Sequence, residues 1–187
     1  MKKEETRLPL ITPEQFRKLA RPVSIHVDNL EIQQFVRECE DMFIIPAVGW
    51  PNFKSATVTG TWDELFDGTF NAAVFLDGGE YDSGEGECGC VGDGTGIRYC
   101  NGLRKALAYY VYAKMLRNDG NILSRAGAMQ HNDQYAYHTD DSSLKRYNDT
   151  MDIAERYLAE SLQYANLHRK NKLTARQSRS RILSVGD

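Results

Sequence analysis

Apolar side chains in the middle of the chain predict a helix that is buried on most of its surface. Between Ala106 and Met115 nearly every residue is apolar or aromatic, and no glycine or proline interrupts the run. A helix that is apolar on nearly all sides is normally covered by neighbouring elements on several faces. The run is also far shorter than the roughly 20 residues that a membrane-spanning helix requires. The stretch from Cys100 to Arg117 is therefore predicted to form the central helix of a soluble helical domain.

Two more helices are predicted on the N-terminal side of this stretch. Thr12 is followed by Pro13 and Gln15, which is the arrangement of an N-cap residue with a capping box. A second helix is expected from about Asp28, because apolar residues recur every three or four positions over residues 30–43.

Other boundaries follow from breakers and from periodicity. Pro46 and Gly49 are expected to end the second helix, since both residues disfavour its continuation. Residues 71–76 fit either the extension of a preceding helix or a short strand, and the sequence leaves both open. Residues 144–165 carry a continuous apolar stripe, which predicts a last helix that ends at about His168.

Two connections are unusual in composition. Residues 77–98 are rich in glycine and acidic residues. Glycine at this density costs too much backbone entropy for a helix interior, so this excursion is predicted to be a loop or a β-hairpin. Residues 118–138 form a long polar connection, a length that is uncommon in a compact domain unless the segment binds something.

These elements predict a mainly α-helical fold, a small helical bundle around a central buried helix. The glycine-rich hairpin or loop excursion and extended terminal arms complete it. The 187 residues fit one domain, and contents of 41% hydrophobic and 26% charged residues are ordinary for a globular protein. We expect an N-terminal arm over residues 1–11, the helical domain over residues 12–168 and a basic tail over residues 169–187.

Charge is distributed unevenly along the chain, although the net charge is only -3. Residues 55–97 contain nine acidic side chains and no Lys, Arg or His, whereas residues 161–186 contain six basic side chains and no acidic one. Such runs are usually solvated surfaces. They also suit a polarised subunit in which the acidic segment of one copy meets the basic segment of the next.

Candidate chemistry is sparse. Cys88, Cys90 and Cys100 are thiols that zinc would accept, but a fourth ligand is missing nearby and the spacing matches no standard zinc motif. Packing cysteines are the favoured interpretation, and four cysteines in a chain of this length do not indicate a disulfide framework. No cofactor fingerprint and no catalytic constellation is found, so we expect no enzymatic activity and no cofactor.

Short phrases in a fixed order along the chain carry a family resemblance. They are Thr12-Pro13-Glu14, a helix that ends in Pro46-x-x-Gly49-Trp50, the run from Leu76 to Tyr81, the run from Gly102 to Tyr110, and a long loop through Gly127. In this order they resemble the head–tail connector (adaptor) proteins of tailed phages. The likeness is to the group of HK97-like connectors, and within it to versions from crAss-like phages and related prophages. It covers most of residues 10–170.

The resemblance implies a structural virion protein that works by protein–protein contacts. Such connectors form rings of about twelve subunits between the portal protein and an adjoining neck or tail protein. It further implies a place at the head–tail junction after synthesis in the host cytoplasm, with no membrane partner and with DNA only passing through the ring.

The acidic excursion and the basic tail do not match the pattern of that family. Our hypothesis is that the excursion contacts a neighbour's tail, or that one of them docks on the portal. The residues expected at this contact are Glu80, Asp82, Glu85, Glu87, Arg176, Arg179 and Arg181. The alternative function is a small metal- or nucleic-acid-binding accessory protein that uses Cys88, Cys90, Cys100 and the tail.

Overall fold

The fold is mainly helical, with two short antiparallel hairpins, which confirms the predicted fold class. The structure is a computed structural model of the 187-residue chain. The residues that the structure describes are 7–22, 27–62, 66–83, 96–118, 121–124, 127–130 and 140–169.

Helix α6 (Leu103–Asn118) lies at the centre of the fold and packs along helix α7 (Asp140–Leu167). Its buried side chains point in several directions, as expected for a helix without a polar face. They are Leu103, Ala106, Leu107, Ala108, Tyr110, Val111 and Ala113. The central helix predicted from the apolar run is therefore confirmed.

The apolar stripe of α7 faces this core over most of its length. Ala154, Leu158 and Ala165 are buried, and Tyr157 packs edge-on against Tyr109 of α6 at 5.3 Å between ring centroids. Leu144 differs from its predicted place on the stripe, because 59% of it is exposed to solvent. Helical periodicity places a residue on a face but does not decide whether another element covers it.

The two N-terminal helices begin as predicted. In α1 (Pro13–Leu19) the Thr12 hydroxyl accepts a hydrogen bond from the Gln15 amide at 3.2 Å, and the Gln15 side chain accepts one from the Thr12 amide at 2.9 Å. This is a complete capping box. Helix α2 (Asn29–Cys39) is capped by Asp28, and both helices contribute to the same hydrophobic core as α6.

The expected end of the second helix is wrong at Pro46 and correct at Gly49. The chain continues through a π-helical turn (Glu40–Ile44) into α3 (Ile45–Val48) and stops at Gly49, where φ is +82°. Pro46 falls in the first turn of α3, where the amide that it lacks is not needed for an intrahelical hydrogen bond.

Helical structure also follows Gly49. Helix α4 (Trp50–Lys54) has Pro51 in its first turn and runs into a second π-helical turn (Ser55–Thr59). Gly60 ends this segment in the left-handed conformation, with φ of +64°.

The open choice at residues 71–76 is settled as a helix. Helix α5 (Ala72–Asp77) is capped by Asn71, whose side-chain oxygen accepts a hydrogen bond from the Ala73 amide at 3.0 Å. The Tyr164 hydroxyl of α7 accepts a hydrogen bond from the Asn71 amide at 2.8 Å. Aromatic rings fill the space below this junction: Trp62, Phe66, Phe70, Phe75 and Tyr164.

Both hairpins lie in the connections that flank α6. Strands β1 (Gly79–Asp82) and β2 (Ile97–Cys100) form the base of the glycine-rich excursion, which confirms a hairpin there. Strands β3 (Asn121–Ser124) and β4 (Gly127–Gln130) lie within the long polar connection, for which no regular structure had been predicted.

The chain just before α1 is packed on the domain, although residues 7–11 had been assigned to a loose arm. Leu10 and Ile11 are 3% and 1% exposed, and Arg7 forms an ion pair with Glu40 at 2.6 Å. For these residues the expectation of a loose arm is wrong, because their partners lie about 30 residues further along the chain.

Candidate interaction surface

One face of the β1–β2 hairpin combines exposed carboxylates with exposed apolar side chains. Glu80 pairs with Tyr99 and Asp82 pairs with Ile97 in the antiparallel register. Residues that are directly opposite in such a ladder point to the same side of the sheet. All four side chains are exposed, with Ile97 at 57% and Tyr99 at 59%. We call the surface made by Glu80, Asp82, Ile97 and Tyr99 the outer hairpin face.

The opposite side of the hairpin is fixed to α7. The Tyr81 ring meets the Tyr164 ring edge-on, with 4.9 Å between centroids. Cys100 is fully buried, and its thiol donates a hydrogen bond to the Ser161 hydroxyl at 3.6 Å. Strand alternation therefore places Tyr81 and Cys100 on the side that contacts the core, and the outer hairpin face on the other side. Arg98, opposite Tyr81, is also exposed.

Backbone contact between two glycines sets the direction in which the hairpin leaves the core. Gly78 and Gly102 have φ values of +93° and +84°. A Cβ atom on Gly102 would lie 2.5 Å from the Gly78 nitrogen, and one on Gly78 would lie 2.7 Å from the Cys100 carbonyl oxygen. Only glycine allows this approach, so the end of α5 and the start of α6 meet without side chains between them.

Polar contacts brace the same junction. Arg104 forms an ion pair with Asp77 at 2.7 Å, which links the first turn of α6 to the end of α5. The Asn101 side-chain amide donates a hydrogen bond to Glu160 of α7 at 2.8 Å. The outer hairpin face is thus carried by a base that three helices hold in place.

The end of α7 lies near the inner side of this hairpin. The His168 ring is 4.8 Å from the Tyr164 ring and its Nδ1 atom is 3.0 Å from the Thr69 hydroxyl. Hydrogen bonds from Thr69 lower the pKa of Asp67, and the neighbouring His168 adds to this effect. Arg169, the last residue described, forms an isolated β-bridge with Phe66. The basic tail therefore begins five residues after Tyr164, whose ring contacts the inner side of the hairpin.

The structure brings together only some of the predicted contact residues. Glu80 and Asp82 share the outer hairpin face. The others lie outside the described residues: Glu85, Glu87, Arg176, Arg179 and Arg181.

The cysteines are divided in the same way. Cys88 and Cys90 lie outside the described residues, and Cys100 is inside the core. Burial raises the pKa of the Cys100 thiol, against the opposing hydrogen bond with Ser161. Burial also raises the pKa of Cys39 to about 12, and this thiol is a small, fully buried core residue. A protonated, buried thiol is a poor zinc ligand, so Cys100 fits the packing interpretation better than the metal site.

The sequence did not predict that Ile97 and Tyr99 lie on the surface. They belong to a four-residue strand in which Ile97 and Tyr99 alternate with Arg98 and Cys100. The many glycines before this strand favour a loop, so the short alternation is easily overlooked. Glu80 and Asp82 also recur with a period of two, and this shared period is the sequence signal that predicts pairing of the two segments. Which side of the pair is buried depends on α7, and that contact is distant in sequence.

The described residues contain neither a metal-ligand cluster nor a membrane-spanning helix. No group of three or more His, Cys, Asp or Glu side chains within them is arranged to hold a metal ion. None of their helices combines the length and the apolar character that a membrane crossing needs.

Residues 47–174 match DUF6712, a family of unknown function. This is more than half of the 187 residues. The chain belongs to this family. The matched range holds α4 to α7 and both hairpins, and thus the outer hairpin face, whereas α1 and α2 lie before it. No curated protein and no solved structure matches the chain.

Proposed function

We propose that this member of the DUF6712 family is a structural virion protein, a subunit of a head–tail connector ring. The observation that carries the proposal is the outer hairpin face, on which two large apolar side chains are more than half exposed and each lies opposite a carboxylate. A cluster of exposed apolar and charged groups on a firmly held element is typical of a protein–protein contact.

The distribution of charge supports assembly in one direction. A ring requires a heterologous interface, in which one surface of a subunit meets a different surface of the next. The acidic outer hairpin face and the basic sequence after Arg169 supply two groups of opposite charge on the same chain. Complementary charges favour the correct pairing and make like-to-like pairing unfavourable.

The partners that we propose follow the resemblance to phage connectors. They are further copies of the chain, about twelve in a ring, the portal protein on one side and a neck or tail protein on the other. The proposed location is the head–tail junction of the virion, with DNA passing through the ring and no catalytic step performed by the protein.

Particle mass and symmetry test this proposal most directly. Light scattering on the purified full-length chain gives the mass of the particle, and electron micrographs of the same sample give its symmetry. We expect closed rings of uniform size, either alone or after addition of the portal protein. A chain that stays monomeric at high concentration and binds no portal protein would rule the proposal out.

The alternative, a small metal- or nucleic-acid-binding accessory protein, is tested on the same sample. Elemental analysis measures zinc per chain, and a fluorescent DNA measures nucleic-acid binding. Stoichiometric zinc that is lost on Cys90→Ser, in a protein that forms no rings, would favour the alternative. The burial of Cys100 argues against a site that needs all three thiols.

A further inference from the structure

The outer hairpin face and the end of the chain carry complementary kinds of side chains. The tail sequence Arg179-Ser-Arg181-Ile-Leu183-Ser-Val185 has a period of two. An extended conformation places alternate residues on one side, here two arginines followed by two aliphatic residues. The outer hairpin face offers two carboxylates beside two large apolar side chains.

We propose that the outer hairpin face of one copy binds residues 179–185 of a second copy. The inference rests on the proposed assembly and names the segment that makes the contact. The two arginines of this segment lie against Glu80 and Asp82, and its two aliphatic residues lie against Ile97 and Tyr99.

The place at which the tail begins favours a second copy over the same copy. Arg169 is paired with Phe66, and the end of α7 lies beneath Tyr81, on the inner side of the hairpin. The strand pair therefore lies between the start of the tail and the outer hairpin face of its own copy. Arg179 follows Arg169 by ten residues, and an extended chain of this length spans up to about 35 Å, which is enough to reach an adjoining subunit.

The position of the contact is tested by cross-linking the full-length chain. The photoreactive residue benzoylphenylalanine replaces Tyr99, and the variant is mixed with an equal amount of unsubstituted chain labelled with heavy isotopes. After irradiation, mass spectrometry identifies the joined peptides. We expect the light residue 99 to join heavy peptides from residues 179–185. The same probe at Leu30, which is 65% exposed on α2, is the control and should not join that segment.

Charge reversal tests the pairing. The double variant Glu80→Lys/Asp82→Lys should reduce the yield of the cross-link about tenfold, and the added changes Arg179→Glu/Arg181→Glu should restore it. The matched control is Asp149→Lys/Asp152→Lys, which changes the charge by the same amount at exposed positions of α7 and should leave the yield unchanged. Circular dichroism checks that each variant is folded.

The outcomes separate this inference from the proposed function. Cross-links that join residue 99 only to the tail of its own copy, or to other segments, would overturn the inference even if rings form. Cross-links between copies in a particle that is no ring would support the inference and overturn the connector. Loss of the cross-link in the α7 control variant would also contradict the pairing, because net charge alone would then explain the effect.

Discussion

Glu40 shows at the scale of single residues how the N-terminal segment is held. Its side chain is fully buried, and it accepts hydrogen bonds from the Leu10 amide at 2.6 Å and from Arg7 at 2.6 Å. Arg7 also reaches Asp41 at 2.5 Å, but the Asp41 side chain is 59% exposed. One arginine therefore joins a buried and an exposed carboxylate that are neighbours in sequence.

This arrangement predicts a large difference between two similar substitutions. Glu40→Ala should lower the free energy of unfolding by about 3–5 kcal/mol, because it leaves the Leu10 amide and Arg7 without their buried acceptor. Asp41→Ala should lower it by no more than about 1 kcal/mol, because water screens and replaces an exposed partner. Urea unfolding of both variants measures the difference. Equal losses would show that the Glu40 contact is not buried in solution.

The same carboxylate predicts a dependence of stability on pH. Burial raises the pKa of Glu40 above its ordinary value of 4.5, against the opposing hydrogen bonds from Leu10 and Arg7. The folded chain then holds the Glu40 proton to a higher pH than the unfolded chain does. The contribution of this group to stability is therefore present below pH 4.5 and is lost as the pH rises through the raised pKa.

The measurement is the free energy of unfolding of wild type minus that of Glu40→Gln, as a function of pH. It should fall as the pH rises above 4.5, by at most about 1.4 kcal/mol per pH unit. The Gln variant keeps an acceptor for the Leu10 amide and lacks the titration, so changes in other groups cancel. A difference that rises with pH would mean that the bond to Arg7 outweighs burial.

At the scale of elements, the junction of α5, the hairpin and α6 depends on two glycines. Gly102→Ala should lower the free energy of unfolding by at least about 4 kcal/mol, because its Cβ would lie within 2.6 Å of two backbone atoms of residues 77 and 78. Backbone atoms cannot move aside as the end of a flexible side chain can.

Gly60→Ala is the matched control for this prediction. Gly60 also has a positive φ, of +64°, but a Cβ atom there would meet nothing within 4 Å. It should therefore cost only about 1–2 kcal/mol, the price of the left-handed conformation alone. Thermal unfolding compares the two variants, and a similar loss in both would contradict the close approach of Gly102 to Gly78.

At the scale of the whole molecule, the proposed association combines charged and apolar contacts. The dependence of association on salt concentration distinguishes the two contributions. Raising the salt concentration from about 0.15 M to about 1 M shortens the screening length from about 8 Å to about 3 Å. Association between copies should therefore weaken in wild type as salt is added. The variant Ile97→Ser/Tyr99→Ser should associate less at both concentrations, because its apolar contact is lost.

Sedimentation at the two salt concentrations measures these effects. Leu30→Ser, at an exposed position of α2, is the control and should behave as wild type does. Association that does not change with salt would leave the acidic and basic segments without a role in assembly.

Local signals in the sequence predicted much of the helical framework. The capping box at Thr12, the apolar period of α2 and the apolar run from Ala106 each depend on residues within a few positions, so they can be read from the sequence directly. Glycine content predicted that residues 77–98 are a loop or a β-hairpin, but the choice of a hairpin, its strands and its register came from the structure.

By itself, then, the sequence determined the central helix, the starts of α1 and α2, and the separation of acidic from basic segments. Only the tertiary structure decided that residues 7–11 pack on the domain, that the chain remains helical past Pro46, and that Ile97 and Tyr99 face solvent. The physical reason is distance along the chain. Helix periodicity and capping are interactions between near neighbours, whereas burial depends on which distant element covers a given side chain.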